Sequence, residues 1–374
     1  MDKKKPRTFD SSVYPKRKVA FLFYYFGWKY DGLILQDCTD NTIEQYIRTA
    51  LFKAKLIDDP LTCDLTRCGR TDKGVSAFQQ VIALTIRSTD EDGKYVFWKD
   101  GIKPESSLKK SLKIELPFCK MVNVFLPPEI RIMAWSPVKP DFSARFNCKN
   151  RSYRYIFPDM NLNMEEMKRA CKLLLGKHDY RNFCHIDRSK AERGLTHERT
   201  IYVAEIDDSE KCAVLIICAS GFLWHQIRCV VALLVEIGKD RESADLMTEL
   251  LDIEKHPSRP HYNMASEIPL CLYENTYSDE DVDWQWDEEP TTDLITNLQR
   301  ELATYQTKSK IISDMLSGVQ KMSGLNKESF TGGYTEFLLG KDCSREYKPI
   351  LKRDVCKSIS EVKQRMQSKR SKKE

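Results

Sequence analysis

The amino-acid sequence predicts an α+β protein, and two observations carry this prediction. First, strand-like and helix-like stretches alternate through residues 18–277. Second, the order strand, helix, strand, loop, strand in the first half is followed by a similar alternation in the second half, without a repeat of the sequence itself. Alternation of this kind is typical of sheets with helices packed against them, so the pattern indicates two sheet-and-helix halves.

Four stretches of the first half have the β-branched, aromatic composition of strands. They are residues 18–27, 61–67, 78–88 and 129–138. Residues 41–57 instead carry apolar side chains at helical spacing, with Asn41 as the expected N-cap and Glu44 three residues later, which predicts a capped amphipathic helix. Residues 1–17 and 89–113 are charged and lack a period, and they predict a flexible basic arm and a surface insertion.

The second half repeats the alternation and then changes character. Strands are predicted at residues 152–157, 200–208, 212–220 and 269–277. Helices are predicted at residues 163–176, 224–238 and 242–254, the first of them capped by Asn163 and closed by Gly176. Apolar residues at helical spacing over residues 291–320 predict a helical C-terminal extension, and the chain ends in the basic tail SKRSKKE.

These patterns divide the chain into four regions. They are a basic arm (residues 1–17), an N-terminal half (18–150), a C-terminal half (151–277), and an acidic linker with helical extension and basic tail (278–374). Eight acidic residues and no Lys or Arg lie between Glu274 and Glu289, so the net charge of +5 leaves +13 on the rest of the chain. A basic body favours an anionic partner such as nucleic acid, although Lys-rich surfaces also serve solubility alone.

The spacing of the cysteines and histidines in the sequence indicates the cellular compartment of the protein and whether a metal site is expected. The 13 cysteines show no CxxC pair, and the six histidines show no HExxH or paired-ligand spacing. We therefore expect reduced thiols in a nuclear or cytoplasmic protein, and neither a structural nor a catalytic metal. No signal peptide and no apolar run of membrane length is apparent in the sequence, so no membrane association is expected.

The stretch TRCGRTDKGVSAFQQ, residues 66–80, joins two predicted strands and places Asp72 in a polar loop. One interpretation is a simple turn, because Thr-Asp-Lys-Gly satisfies ordinary loop preferences. The other is chemical: Arg70 lies two residues before Asp72, and a nearby guanidinium favours the ionised, nucleophilic form of a carboxylate.

Two further positions invite a functional interpretation. Arg228 lies in an otherwise apolar helix and must find a partner, which is either Asp72 or a structural carboxylate. Tyr153 and Tyr155 lie on one face of a predicted strand, where they serve either as stacking platforms for an unpaired base or as ordinary sheet residues.

Four motifs together resemble the TruA family of tRNA pseudouridine synthases. RCGRTDKGVSAFQQVIAL resembles the central motif of the family, whose Asp is catalytic, and YFGWKYDG resembles the first motif. FSARFNCKNRSYRY and GFLWHQIRCVVALLVEIG resemble two later motifs. The resemblance covers about residues 18–277 and is greatest to the eukaryotic branch that modifies tRNA positions 38 and 39 in the anticodon arm.

Residue by residue, the resemblance implies a role for each candidate. Asp72 would be the nucleophile or the charge-stabilising carboxylate, and Tyr153 would pack on the target base. Arg70 would help hold the displaced nucleotide, and Arg228 would pair with Asp72. Two positions depart from the common pattern: Leu33 replaces an aromatic residue, which puts a local RNA contact in doubt, and Ser76 stands where bacterial members have His.

The resemblance also implies a fold and a reaction. The two halves would share a largely antiparallel sheet with a central active-site cleft, and uridine would become pseudouridine without a cofactor. tRNA is the expected partner, and family members are often homodimers. The alternatives are a tRNA-binding protein or chaperone of the same fold without catalysis, and the same isomerase acting at other RNA positions.

Overall fold

The computed structural model describes residues 9–104, 114–158, 160–186, 196–325, 332–341, 346–357 and 361. The fold is α+β with mostly antiparallel strands, as the sequence predicts. The chain forms two compact units. The first unit comprises Met1–Lys149 and Glu274–Ser317, and the second comprises Asn150–Tyr273 and Gly318–Glu374.

The strands and helices are numbered in chain order. The strands are β1 (Lys16–Tyr25), β2 (Thr66–Arg67), β3 (Ser76–Arg87), β4 (Val96–Phe97), β5 (Ile130–Pro137), β6 (Asn150–Ile156), β7 (Gly176–Asp179), β8 (Glu198–Asp207), β9 (Val214–Ala219) and β10 (Leu270–Thr276). The α-helices are α1 (Ile43–Lys53), α2 (Phe118–Asn123), α3 (Met164–Lys172), α4 (Gln226–Gly238), α5 (Leu246–Leu251), α6 (Glu288–Ser323) and α7 (Gly332–Leu339).

Strand β1 is the centre of the first unit. It pairs antiparallel with β3 on one side and with β4 and β5 on the other, and β2 pairs with β3. Every residue of β1 from Val19 to Tyr25 is buried, which explains its continuous apolar sequence. Phe21 meets Phe118 of α2 edge to face at 6.4 Å, so one side of the strand is covered by helix.

The segment after β10 completes the core of the first unit. Tyr24 lies in one apolar cluster with Tyr277 and Leu294, which brings the start of α6 into this core. Asn297 of the same helix donates its side-chain amide to the Tyr24 hydroxyl and to the Pro128 carbonyl, both at 3.0 Å. The first half of α6 is therefore an integral part of the first unit.

The second unit pairs β6, β9, β8 and β7 in that order, all antiparallel. Helix α3 begins at the predicted cap, because the Asn163 side chain accepts the Glu166 N–H. Helix α4 is buried along almost its whole length. A Cβ at its last residue, Gly238, would lie 2.5 Å from Met167 Sδ, so glycine allows α3 and α4 to pack closely.

The structure corrects several local predictions. Thr42, not Asn41, caps α1, because its hydroxyl accepts the Gln45 N–H while the Asn41 amide donates to the Lys29 carbonyl. Only the last two residues of the predicted strand 61–67 form β2, and the predicted helix 242–254 is reduced to α5. Strand β4 lies inside the predicted insertion 89–113, and α2 and β7 were missed because both are short. Residues 1–8 of the predicted arm and the tail SKRSKKE lie outside the described residues.

Candidate active site

The loop of residues 68–75, which links β2 to β3, contains a tight turn at the predicted aspartate. The Val75 N–H donates to the Asp72 carbonyl at 3.2 Å, and Gly74 between them has φ +79°. A positive φ at the third position of a turn is what glycine permits. The turn interpretation of this motif is thus correct for its backbone.

The segment of residues 25–33, which begins at the last residue of β1, holds this loop by hydrogen bonds. The Tyr25 hydroxyl bonds to Thr71 Oγ1 at 2.7 Å in the protein interior. The Gly74 N–H donates to the Tyr30 carbonyl at 3.1 Å, and the Leu33 N–H donates to the Thr71 carbonyl at 3.2 Å. Bonds on both sides of Asp72 therefore fix the backbone that carries the carboxylate.

Two glycines of the same segment let it approach the loop closely. A Cβ at Gly27 would lie 1.9 Å from the Val75 carbonyl oxygen. Gly32 has φ +106°, and a Cβ there would lie 3.1 Å from the Thr71 carbonyl oxygen. Both positions require glycine because backbone occupies the space of a side chain.

The two departures from the family pattern have structural explanations here. The side chain of Ser76 is buried, and its hydroxyl accepts the Gly27 N–H at 3.0 Å, so serine helps to join the two segments. Leu33 is only 1% exposed. It therefore serves the core, and its contribution to the loop is the backbone bond to Thr71 rather than a contact with RNA.

Ion pairs fix both flanks of the loop. Before it, Arg67 of β2 contacts the carboxylate of Glu44 at 2.7 Å, and Arg48 contacts the same oxygen at 2.7 Å. Glu44 is 2% exposed and was predicted only as part of a helix cap. After Asp72, Lys73 pairs with Asp31 at 2.8 Å. The loop is thus anchored to α1 and to the segment 25–33 by charge as well as by backbone bonds.

The side chains of the two predicted site residues in this loop differ in their exposure to solvent. Asp72 is half-buried and Arg70 is exposed. A carboxylate on a backbone held from both sides, with a solvated guanidinium two residues away, suits nucleophilic or electrostatic catalysis on a substrate that reaches the loop. The roles assigned to these two side chains stay predictions.

The other two predicted residues lie in the second unit. Tyr153 is on β6, opposite Ile217 of β9, and its ring meets the Phe222 ring edge to face at 5.3 Å. Arg228 is in the first turn of α4 and only 8% exposed. Its Nη2 contacts Glu267 at 2.7 Å and its Nε donates to the Ala265 carbonyl at 2.6 Å.

Glu267 is therefore a partner of Arg228 that the sequence does not single out, and it fits the alternative in which Arg228 pairs with a structural carboxylate. Its only sequence signal was membership in the stretch RPHYNMASEIPLCLYE. The predicted pairing of Arg228 with Asp72 stays a prediction, as does the packing of Tyr153 on a base.

A cluster of aromatic rings formed by His185, Trp224 and His225 of the second unit was also missed. Trp224 is 45% exposed and lies 4.3 Å from the His225 ring, and His185 lies 5.1 Å from His225, measured between ring centroids. Burial, helped by nearby arginines, lowers the pKa of both histidines to about 4, so both are neutral at pH 7. An exposed indole of this kind can stack on a nucleobase.

Within the described ranges, no three His, Cys, Asp or Glu side chains are grouped so that they could hold a metal ion. In the same part of the chain, no helix combines the length and the apolar character that crossing a membrane requires.

The chain is similar in sequence to known tRNA pseudouridine synthases. A family model described as tRNA pseudouridine synthase matches residues 170–278. A probable tRNA pseudouridine synthase of Caenorhabditis elegans is 39% identical over 98% of this chain and 94% of its own length. The tRNA pseudouridine(38/39) synthase of Homo sapiens is 36% identical over 95% of this chain and 78% of its own length. The protein of the same name from Saccharomyces cerevisiae is 41% identical over 78% of this chain and 63% of its own length.

Proposed function

Because the chain belongs to the TruA family of tRNA pseudouridine synthases and is an isomerase, we propose that it converts uridine to pseudouridine at positions 38 and 39 of the tRNA anticodon arm. The names of the human and yeast relatives support these positions. The observation that carries the proposal is the Asp72 loop, which is held in place by the segment 25–33 on either side of the carboxylate.

The reaction needs a carboxylate and no change of oxidation state. The bond between N1 of uracil and C1′ of the ribose breaks, the uracil turns, and C5 bonds to C1′. N1 gains a proton and C5 loses one, so the atoms balance without a co-reactant. In this proposal the ionised Asp72 attacks or stabilises C1′ while the base is detached.

The substrate must present its base outside the stack. Flipping a nucleotide from an RNA arm costs a few kcal/mol, which contacts to the extruded base must offset. Tyr153 is proposed to pack on the base and Arg70 to hold the displaced nucleotide. Arg228 is proposed to neutralise Asp72, with Glu267 fixing the orientation of its guanidinium. The basic surface of the chain would bind phosphates.

Two further parts of the proposal concern assembly and location. We propose a homodimer, as the family resemblance implies. We also propose a nuclear or cytoplasmic location, which is supported by the free thiols of the cysteines that the structure describes.

The decisive experiment maps pseudouridine at each position of a tRNA pool after incubation with the protein. The wild type should modify positions 38 and 39, and Asp72→Asn should form no pseudouridine while still binding tRNA. Asp92→Asn is the matched control, because Asp92 is an exposed carboxylate outside the loop. Activity in Asp72→Asn would refute the role of Asp72. Binding without activity in the wild type would favour the tRNA chaperone, and modification elsewhere would replace the target positions.

A further inference from the structure

The segment of residues 259–267, which lies between α5 and β10 in the chain, carries the groups that hold Arg228. Arg228 Nε donates to the Ala265 carbonyl at 2.6 Å, and its Nη2 contacts the Glu267 carboxylate at 2.7 Å. The Ala265 N–H donates in turn to the Arg228 carbonyl at 3.0 Å. The direction in which the guanidinium points therefore depends on where this segment lies.

The 259–267 segment depends on its neighbours for its position. The structure describes every residue of this segment, and none belongs to a helix or to one of the strands named above. Its backbone N–H and C=O groups must therefore find partners on other elements. Those partners determine whether Ala265 and Glu267 stay at the Arg228 guanidinium.

Helix α7 supplies one of these partners. The N–H of Ser266, the residue between the two that hold Arg228, donates to the Leu338 carbonyl at 2.7 Å. This carbonyl lies in the last turn of α7, where helix geometry leaves carbonyls without a donor from the helix itself. The structure describes every residue of α7, and only Leu338 is buried, with 1% exposure. The helix therefore docks through the same residue that bonds to Ser266.

The stretch of residues 346–356 holds the beginning of the 259–267 segment. The His261 N–H donates to the Asp354 carbonyl at 2.8 Å, and the Cys356 N–H donates to the Arg259 carbonyl at 2.7 Å. These two bonds flank an isolated antiparallel bridge. The segment is therefore bound near both of its ends by residues of the C-terminal extension, which carries none of the family motifs.

The sheet holds the same segment through Tyr155 of β6. The Tyr155 hydroxyl donates to the Ser266 carbonyl at 3.1 Å, and the tyrosine is fully buried. Ser266 is thus bonded through both its N–H and its C=O. Loss of the Leu338 bond would loosen the segment at this residue without detaching it from the sheet, so we expect the fold to persist.

We propose that α7 positions Arg228 for the reaction, because Leu338 docks the helix and its carbonyl keeps Ser266 in place beside Glu267. The inference rests on the proposed function, in which Arg228 neutralises Asp72. It assigns to the C-terminal extension a part in catalysis that needs no contact with RNA. Leu338 is buried and acts through Arg228, so it is a positioning residue.

The test measures kcat and KM of the full-length protein on tRNA for three variants. Leu338→Ala removes the side chain that docks α7, so we expect kcat to fall about 10- to 100-fold while KM changes less than about 2-fold. Leu338→Met keeps a long apolar side chain and should restore the rate. Phe337 is 46% exposed on the same helix, so Phe337→Ala is the matched control and should equal the wild type.

A double-mutant cycle separates positioning from a general loss of stability. Glu267→Gln should lower kcat in the wild-type background, because the guanidinium loses its charged partner. In the Leu338→Ala background the same change should add little, because both substitutions release the same guanidinium. If α7 only stabilised the fold, the two losses in kcat would multiply.

Two results would overturn the inference while the proposed function stands. One is a Leu338→Ala protein with the wild-type kcat, and the other is a loss that multiplies with that of Glu267→Gln. Should Leu338→Ala fail to fold, Leu338→Val removes a single methylene group and should lower kcat by a smaller factor; an unchanged kcat would then refute the role of α7. A wild type that forms no pseudouridine would refute the proposed function, and this inference with it.

Discussion

Replacing Gly27 by alanine tests whether the Asp72 loop is positioned by the close approach of two backbone segments. The new Cβ would lie 1.9 Å from the Val75 carbonyl oxygen and 2.4 Å from its carbon, whereas ordinary contact begins at 3.4 Å. Because both neighbours are backbone atoms, no side-chain rotation relieves the clash. The two segments must separate by about 1.5 Å, and the hydrogen bond from Gly27 to Ser76 is strained or lost.

The expected loss follows from that displacement. A shift of about 1 Å in a positioned catalytic group lowers the rate on the order of 100-fold, which corresponds to about 2.7 kcal/mol in the activation free energy. We therefore expect kcat/KM of Gly27→Ala to fall by about 100-fold or more. Overpacking of this kind costs about 1–3 kcal/mol of stability, which a domain of ordinary stability survives.

The assay is pseudouridine formation on tRNA at substrate concentrations below KM, with thermal unfolding followed in parallel. Gly333→Ala is the matched control, because a Cβ there meets nothing within 4 Å, and it should leave the rate unchanged. If Gly27→Ala is folded and as active as the wild type, the loop does not depend on this contact and the reasoning is wrong.

Two stability predictions follow from buried groups. Glu44→Ala should destabilise the protein by about 3–5 kcal/mol in urea unfolding, because Arg48 and Arg67 lose their shared carboxylate and Arg48 stays buried; a loss below about 1 kcal/mol would contradict this. In the folded protein His185 and His225 have pKa values of about 4, below the ordinary 6.5. Between pH 4 and pH 6.5 the unfolded chain therefore binds more protons at these two residues than the folded protein does. The free energy of unfolding is therefore highest above pH 6.5 and falls as the pH is lowered towards 4. The decrease is about 1 kcal/mol for each histidine once its partial exposure is discounted. His185→Phe should reduce the pH dependence of Tm in this range, and an unchanged profile would exclude His185 as its source.

The sequence predicted those features that depend on interactions between residues close together in the chain. The turn at Asp72 and the cap at Asn163 were predicted because glycine and asparagine act on their own backbone. The anchoring of the loop by Gly27 was not predicted as geometry, because it depends on two segments almost fifty residues apart meeting across β1 and β3. Glu267 could not be chosen as the partner of Arg228 among 55 acidic residues without the fold that brings them together.

In helix α6, likewise, the sequence predicted the helix itself but not which of its turns pack against the rest of the protein. Its apolar period predicted a helix over residues 291–320, and the helix is present as Glu288–Ser323. The period alone could not tell which turns pack on the protein. Leu294 and Asn297 do so because Tyr24 and the Pro128 carbonyl present a matching surface, which only the folded first unit provides.

The discontinuous first unit has a consequence for folding during synthesis. Its β1 strand is made early, but Tyr277 and Leu294, which cover Ala20, Leu22 and Tyr24, follow only after Asn150–Tyr273 has been translated. At about 5–20 residues per second, this interval lasts on the order of 6–25 seconds. During it, one face of a highly apolar strand lacks its final cover on the ribosome, where chaperones bind such surfaces. A ribosome that stalls before residue 294 would therefore release a nascent chain in which the Asp72 loop has been made but the core beneath it is still open.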